Sequence, residues 1–488
     1  MSNKTTQEGS LKRQLNPMHV WAIAFGCVIG WGSFVNPGKK FLPNSGVAGT
    51  AIAMILGALV MIIIAFSYAY MVPKYPKAGG EFTFTKMCFG KNAAFLCGWF
   101  LVAAYLTNVP MNSTAIGLIV DGIDGSADIL KFGFHYTIAG FDVWMGEMIL
   151  AMGILILFGW LNIIGVQKAA IVQTILSSLL VVCAVTLCIT GIVSAKATGI
   201  NMQPIWGFDK SAAMAAGATT AEIGKYAHTG TAGIMSAILA TFAIAPWAYV
   251  GFDAIPQAAE EFNFSFKKVS FIMMVAIVFG CFVYTSNNTV AAAALANWPD
   301  RVMAGEWVVL VAAEELLGGF GKVLIGVGVS CAVLSGIMGF YLASSRLMYS
   351  MAREGYLPKW FGAINPKYGT PQNAMIFCVI VSLSGPILGR EALGWFVDMC
   401  AIGASIGYFF TAASTLVSMK RDGDGTPFLK AMAITGVVFS VAFMILQLVP
   451  IPGLSGVHFG TESYILLVVW IVLGLIFYFR ERKFFTTE

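Results

Sequence analysis

Long apolar stretches separated by short polar ones run through the chain, and a helix that crosses a bilayer needs about 20 such residues. Twelve stretches qualify, at 17–42, 47–72, 93–120, 143–165, 168–193, 231–260, 268–294, 320–351, 373–389, 393–418, 430–450 and 462–480. An even number of crossings leaves both termini on one side. With that side in the cytoplasm, most of the 29 Lys and Arg fall inside, among them Lys12, Arg13, Lys74, Lys77, Lys267, Lys268, Arg346, Arg353, Lys420 and Arg421. This is the asymmetry that the positive-inside rule requires. The acidic residues Asp121, Asp124, Asp128, Asp300, Glu306, Glu314 and Glu315 then lie outside.

Two of the twelve stretches are interrupted. The first carries Gly26-Cys27-Val28-Ile29-Gly30-Trp31-Gly32-Ser33 and then Pro37, and the sixth carries Ala245-Pro246-Trp247-Ala248-Tyr249-Val250-Gly251-Phe252-Asp253-Ala254-Ile255-Pro256. Glycine and proline there predict unwound backbone at membrane depth, which is tolerated only where protein or a wet cavity satisfies it. The breaks fall at the first position of each of two five-span sets. Because five is odd, the second set enters from the opposite face, which points to inverted repeats. The expected organisation is a cytoplasmic tail over 1–16, a first repeat over 17–193 and an extracellular loop over 194–229 with Trp206 as its interfacial anchor. A second repeat follows over 230–418, and 419–488 holds two extra helices and a cytoplasmic tail. The expected fold class is all-α integral membrane, with twelve transmembrane helices.

Composition agrees. Hydrophobic residues make up 58% of the 488 and charged ones 11%, against about 25% charged in soluble chains, and mean hydropathy is +0.80. The nine cysteines fall mostly in apolar stretches and are expected to be small core residues, with no disulfide framework. The first sixteen residues are polar and no signal-peptide core follows, so the first apolar stretch is expected to stay in the mature protein. His19, His135, His228 and His458 are too dispersed for a metal site. No phosphate loop, nucleophile elbow or metalloprotease helix occurs, so no cofactor is expected, and no basic, aromatic-interleaved patch suits nucleic acid. The partners expected are the lipid bilayer, a small-molecule solute and a coupling ion, H+ or Na+.

The breaks carry the chemistry. Freed N–H groups from Gly30, Trp31, Gly32 and Ser33 sit at the positive end of a half-helix and suit a carboxylate. Freed carbonyls of Val28, Ala245, Trp247 and Val250 suit an ammonium, and a zwitterion satisfies both. The Gly26–Gly30 spacing has a second reading, as a small-xxx-small contact that lets two helices approach.

Four stretches in order resemble the amino acid, polyamine and organocation (APC) superfamily, whose members share the LeuT-type fold of two inverted five-helix repeats. They are Ile29-Gly30-Trp31-Gly32-Ser33-Phe34, Pro76 to Phe82 with Gly79-Gly80-Glu81, the stretch Ser345-Arg346 to Pro358, and Trp247 to Asp253 with Glu260-Glu261. The resemblance covers 17–418 and implies that the Gly30–Ser33 backbone holds a carboxylate. It implies that Trp247 caps the solute, the alternative being an aromatic core residue. Ala103, Ala104 and Asn108 should face the same pocket, Asn108 also being open to a role as packing glue.

Two positions depart from the pattern. Trp31 stands between the two glycines where many relatives have Ser or Thr, and Leu180 stands where proton-coupled members carry a lysine. For coupling there remain Asp253, as a helix cap or a titrating group, Asp398, and Ser335 as a single hydroxyl for sodium. Arg346 and Arg353 are expected to snorkel or pair at the inner face rather than touch the solute, with Glu260 and Glu261 as partners of them or of neighbouring lysines. The implied activity is a permease of the cell membrane that moves a small amino acid as exchanger or ion-coupled symporter. An amine or polyamine carrier is the alternative, and a channel, a non-transporting solute receptor and a membrane enzyme are the competing classes.

Overall fold

The computed structural model describes residues 11–124, 128–138, 141–194, 196–389, 392–451 and 458–485; the first ten residues of the expected N-terminal tail and the last three of the C-terminal one lie outside them. Helix makes up 78% of the structure. Among the described residues, nine helical segments are long and apolar enough to cross a membrane. The stretches expected as the first two spans run on as one segment, Pro17–Lys74. The expected sixth span is divided into Gly230–Phe242, Ala245–Tyr249 and a 3-10 stretch Ile255–Glu261, and the ninth into Gln372–Ser382 and Ser384–Leu388. Pro246 and Pro386, each lacking an N–H, stand beside those divisions, so neither stretch is a full-length helix in one piece. Among the described residues the structure is all-helical apart from one short strand pair in a connection. His135–Ile138 pairs antiparallel with Phe141–Trp144, His135 opposite Trp144, where aromatic and β-branched residues favour a pleated pair.

The outer surface is apolar. On Val166–Val193 the residues Ile175, Val182 and Ile189 recur every seventh position and are exposed, as are Ile465, Val468, Val472 and Phe479 on Thr461–Glu481. Stripes of this size are stable against lipid rather than water, which makes this a multi-pass membrane protein.

The first broken helix lies at the opposite extreme. From Ala22 to Val28 it is buried on every side, packed among Val166–Val193, Lys267–Ala294 and Gly319–Arg353. Three side chains reach its carbonyls. Gln173 Nε2 and Ser177 Oγ donate to the Ala22 oxygen at 3.2 and 2.8 Å, and Ser335 Oγ donates to the Gly26 oxygen at 3.2 Å. A Cβ on Gly26 would stand 2.4 to 2.8 Å from those same three side chains, so glycine sets the approach.

Both described chain ends pack on one face, here the terminal face. Gln14 and Leu15 donate their N–H groups to the Glu261 carbonyl at 2.9 Å each, and Asn263 N donates to Leu15 O at 3.0 Å. Phe485 stacks on Tyr356 at 4.2 Å between ring centroids. Here the expected pairing is found: Arg346 meets Glu261 at 2.7 Å with both side chains buried, and Arg353 meets Glu260 at 2.6 Å. Glu260 also accepts from Ala78 N at 3.1 Å, and Ser350 Oγ donates to Ala78 O at 2.7 Å.

Removing one partner of a buried ion pair strands the other charge, which costs about 3–5 kcal/mol. Glu261→Gln should therefore lower unfolding stability in detergent by that amount, and adding Arg346→Met should recover most of it. A double-mutant cycle with additive losses would show that the two side chains do not stabilise one another.

Candidate solute-binding site

The backbone leaves helical geometry where the glycines and prolines indicated. At the first break Val28 ends one helix, Ile29 turns out at φ −95°, ψ 79°, and Gly32 begins the next. The N–H groups of Gly30, Trp31 and Gly32 donate to no backbone carbonyl among the described residues. They stand at a helix start, where unpaired N–H groups carry partial positive charge. Ser33 differs from expectation: its N–H and its Oγ both turn back to the Gly30 oxygen, at 3.2 and 2.9 Å, so three donors are free rather than four. Nor does Pro37 unwind the chain. It opens a π turn, Pro37–Phe41, closed by Leu42 N donating to Pro37 O, and the Ser33 carbonyl, four residues back, that its missing N–H leaves open accepts from Asn287 Nδ2 at 3.0 Å.

At the second break Tyr249 ends a short helix, Val250 is extended at ψ 136°, and Gly251 takes φ +129°, a region closed to L side chains. A Cβ on Gly251 would lie 2.4 Å from Cys27 Cβ and 2.8 Å from Val28 N. The two breaks thus meet backbone against backbone. Gly32 plays the matching part for Trp247, whose Cη2 lies 2.4 Å from where a Gly32 Cβ would be. The Trp31 and Trp247 rings stand 6.1 Å apart, tilted by 57°.

Between the breaks lies a small cavity. Its wall takes Val28, Gly30 and Trp31 from the first and Trp247 and Val250 from the second, with Asn108, Met111, Asn112, Tyr284 and Phe340. The space left fits about one water. No acidic or basic side chain lines it among the described residues. Two buried polar atoms in the wall have no partner, the donor Trp31 Nε1 and the acceptor Asn112 Oδ1.

Other expected site residues fall elsewhere. Ala103 packs with Phe100, Met399 and Ile402, Ala104 lies against Gly403, and Ala245 lies against Gly57. The reason is height along Lys91–Asp124, because the cavity sits beside Asn108, Met111 and Asn112, about one turn beyond Ala104. Asn108 has both of its proposed characters, in the wall and bonded by Nδ2 to Ala104 O at 2.6 Å and Cys400 Sγ at 2.9 Å. The Trp247 carbonyl accepts from Val250 N at 3.3 Å, so it is not freed as expected. Asp253 is buried behind the second break, its Oδ1 accepting from Gly251 N at 2.7 Å, and Ser335 donates to the Gly26 carbonyl, next to Cys27 of the cavity wall. Asp398 accepts from Ser463 at 2.6 Å, at the last helix. Leu180 is buried, while Gln173 and Ser177 are the side chains of its helix that reach the first broken helix.

Sequence reasoning missed Met111, Asn112, Tyr284 and Phe340. Asn112 was within reach of it, four residues after Asn108 and so on the same helix face. Tyr284 belongs with Asn287 and Asn288 to a polar set inside an apolar helix, and Asn287 Nδ2 donates to Ser33 O at 3.0 Å.

Residues 15–477 match the family described as amino acid permease. An uncharacterized transporter of Rhizobium meliloti is 25% identical over 97% of this chain and 93% of its own length. The branched-chain amino acid permease BcaP of Bacillus subtilis is 24% identical over 98% of this chain and 95% of its own. The large neutral amino acids transporter small subunit 2 of Homo sapiens is 28% identical over 77% of this chain and 64% of its own.

The glycines of the first break should respond differently to a methyl group. Gly30→Ala meets nothing within 4 Å, whereas Gly32→Ala collides with the Trp247 indole. Gly32→Ala should displace that ring and lower the melting temperature in detergent, with Gly30→Ala close to wild type. Equal melting of the two variants would contradict the packing described.

Proposed function

The chain belongs to the amino acid permease family of the APC superfamily, and from that premise we propose that it is a secondary carrier for a small or neutral amino acid. The observation that carries the reading is the free N–H groups of Gly30 and Trp31 in the wall of a cavity with no charged side chain among the described residues, with the free Gly32 N–H next in the chain. A carboxylate suits those donors, and the orphan Trp31 Nε1 is a fourth. The ammonium then meets carbonyls such as that of Val28 and the free Asn112 oxygen. An amine lacking a carboxylate would leave the donors without an anion, which disfavours the amine alternative. The relatives named for branched-chain and large neutral amino acids support an uncharged side chain.

In this reading Pro17–Lys74 makes two crossings and each divided segment makes one, giving twelve, with both termini in the cytoplasm of a cell membrane. The first five and next five crossings form LeuT-type inverted repeats, and alternating access moves one bundle against the other around the two breaks. For coupling, neutral donors from Gln173, Ser177 and Ser335 already occupy the Ala22 and Gly26 carbonyls, which supports exchange or proton linkage over sodium symport.

Uptake of a labelled amino acid panel into proteoliposomes, with and without internal amino acid, tests the carrier. Trans-stimulation is expected; uptake indifferent to internal solute would point to a channel. Trp247→Ala should lower uptake about tenfold with expression unchanged, a loss of roughly 1.4 kcal/mol. Substrates stripped of the carboxylate should fail to compete, and competition by the bare amine would favour the amine reading.

A further inference from the structure

Behind the second break lie two carboxyl groups, Glu81 and Asp253, that the solute site does not use. Both are fully buried. Glu81 accepts from Tyr68 OH at 2.6 Å through Oε1 and from Gln257 Nε2 through Oε2. Asp253 accepts from Gly251 N through Oδ1. Between them stands the Tyr105 hydroxyl, 3.0 Å from Asp253 Oδ2 and 3.3 Å from Glu81 Oε1. The titratable groups facing the pair are Tyr68, Tyr105 and Tyr408 with the thiols of Cys27, Cys97 and Cys400. Among the described residues no basic side chain is a hydrogen-bond partner of the pair; Arg346 and Arg353 are held by Glu261 and Glu260.

Tyr105 has one hydrogen to serve two carboxyl oxygens and, at 3.1 Å, the Asp253 backbone carbonyl. Were both acids ionised, one would face the lone pair of that hydroxyl, and two negative charges would share a dry site with no cation, an arrangement that like-charge repulsion and desolvation both oppose. One added proton resolves this. With Glu81 protonated, its O–H donates to the Tyr105 oxygen and Tyr105 donates to Asp253; in the reverse form Asp253 Oδ2 carries the proton and Tyr105 donates to Glu81. Passing from one form to the other moves one hydrogen from acid to tyrosine and one from tyrosine to the other acid, and net charge is unchanged.

We propose that Glu81 and Asp253 form a proton-binding site that holds a single proton, relayed between them by Tyr105. The site links two working parts. Asp253 braces Gly251 at the second break, and Glu81 stands three residues from Ala78, which Glu260 and Ser350 hold on the terminal face. Opening of that face brings water to Glu81 and lets the proton leave. This last step rests on the carrier reading; the shared proton does not.

The infrared absorption of protonated carboxyl groups in the detergent-purified protein, at neutral pH and without solute, tests the site. Wild type should show a component that the Glu81→Gln, Asp253→Asn double variant loses, and identical spectra would overturn the proposal. If the double variant does not fold, loss of the component in either single variant supports the site and its retention in both overturns it. In proteoliposomes, amino acid uptake by the double variant should lose its pH dependence, and a profile unchanged from wild type would also overturn the proposal. Because the infrared measurement needs no solute, a protein that carries no amino acid can still display the shared proton, so the two readings fail separately.

Discussion

Backbone amides cannot be left unpaired in hydrocarbon, and the architecture of this permease follows from where it meets that demand and where it does not. The first helix is released at Ile29 and resumes at Gly32, and it survives at the centre of the molecule because other chain segments surround it. Gln173, Ser177 and Ser335 fix the carbonyls before the break, Asn287 fixes the Ser33 carbonyl after it, and Trp307 Nε1 donates to Phe34 O at 2.7 Å. What remains unpaired between these anchors is a short run of N–H groups, held in place by their bonded neighbours.

Missing side chains bring the two breaks together. Gly26 admits three polar side chains, Gly32 admits the Trp247 ring, and Gly251 sits on the backbone of Cys27 and Val28. Each close approach puts a functional group at a fixed distance from the unwound backbone. The resulting cavity is lined by neutral groups, with backbone and aromatic faces among them.

Much of this was readable from residue order. Gly-x-Gly in the first apolar stretch and Pro246 with Gly251 in the sixth marked both breaks, because glycine and proline act on the backbone locally and leave a direct trace. The ion pairs of Glu260 and Glu261 were legible for a similar reason, since charge at the edge of an apolar stretch needs a partner. What was not legible depended on rotation and height between helices distant in sequence. Ala103 and Ala104 were placed in the cavity and lie a turn away from it, while Asn112 was passed over, because nothing local fixes how far one helix slides along another. The Glu81–Asp253 pair was hidden similarly, the two acids being separated by 172 positions and joined through Tyr105. The strand pair of His135–Ile138 with Phe141–Trp144 was lost beneath the stronger helical signal on either side.

Gln14 and Leu15 are paired with the Glu261 carbonyl, and Leu15 is bridged to Phe262, while Phe485 closes over Tyr356 from the opposite end of the chain. Any rearrangement that parts the terminal face would have to break the contacts of Gln14, Leu15 and Phe485 together, so the two described ends of the chain are tied to the same surface.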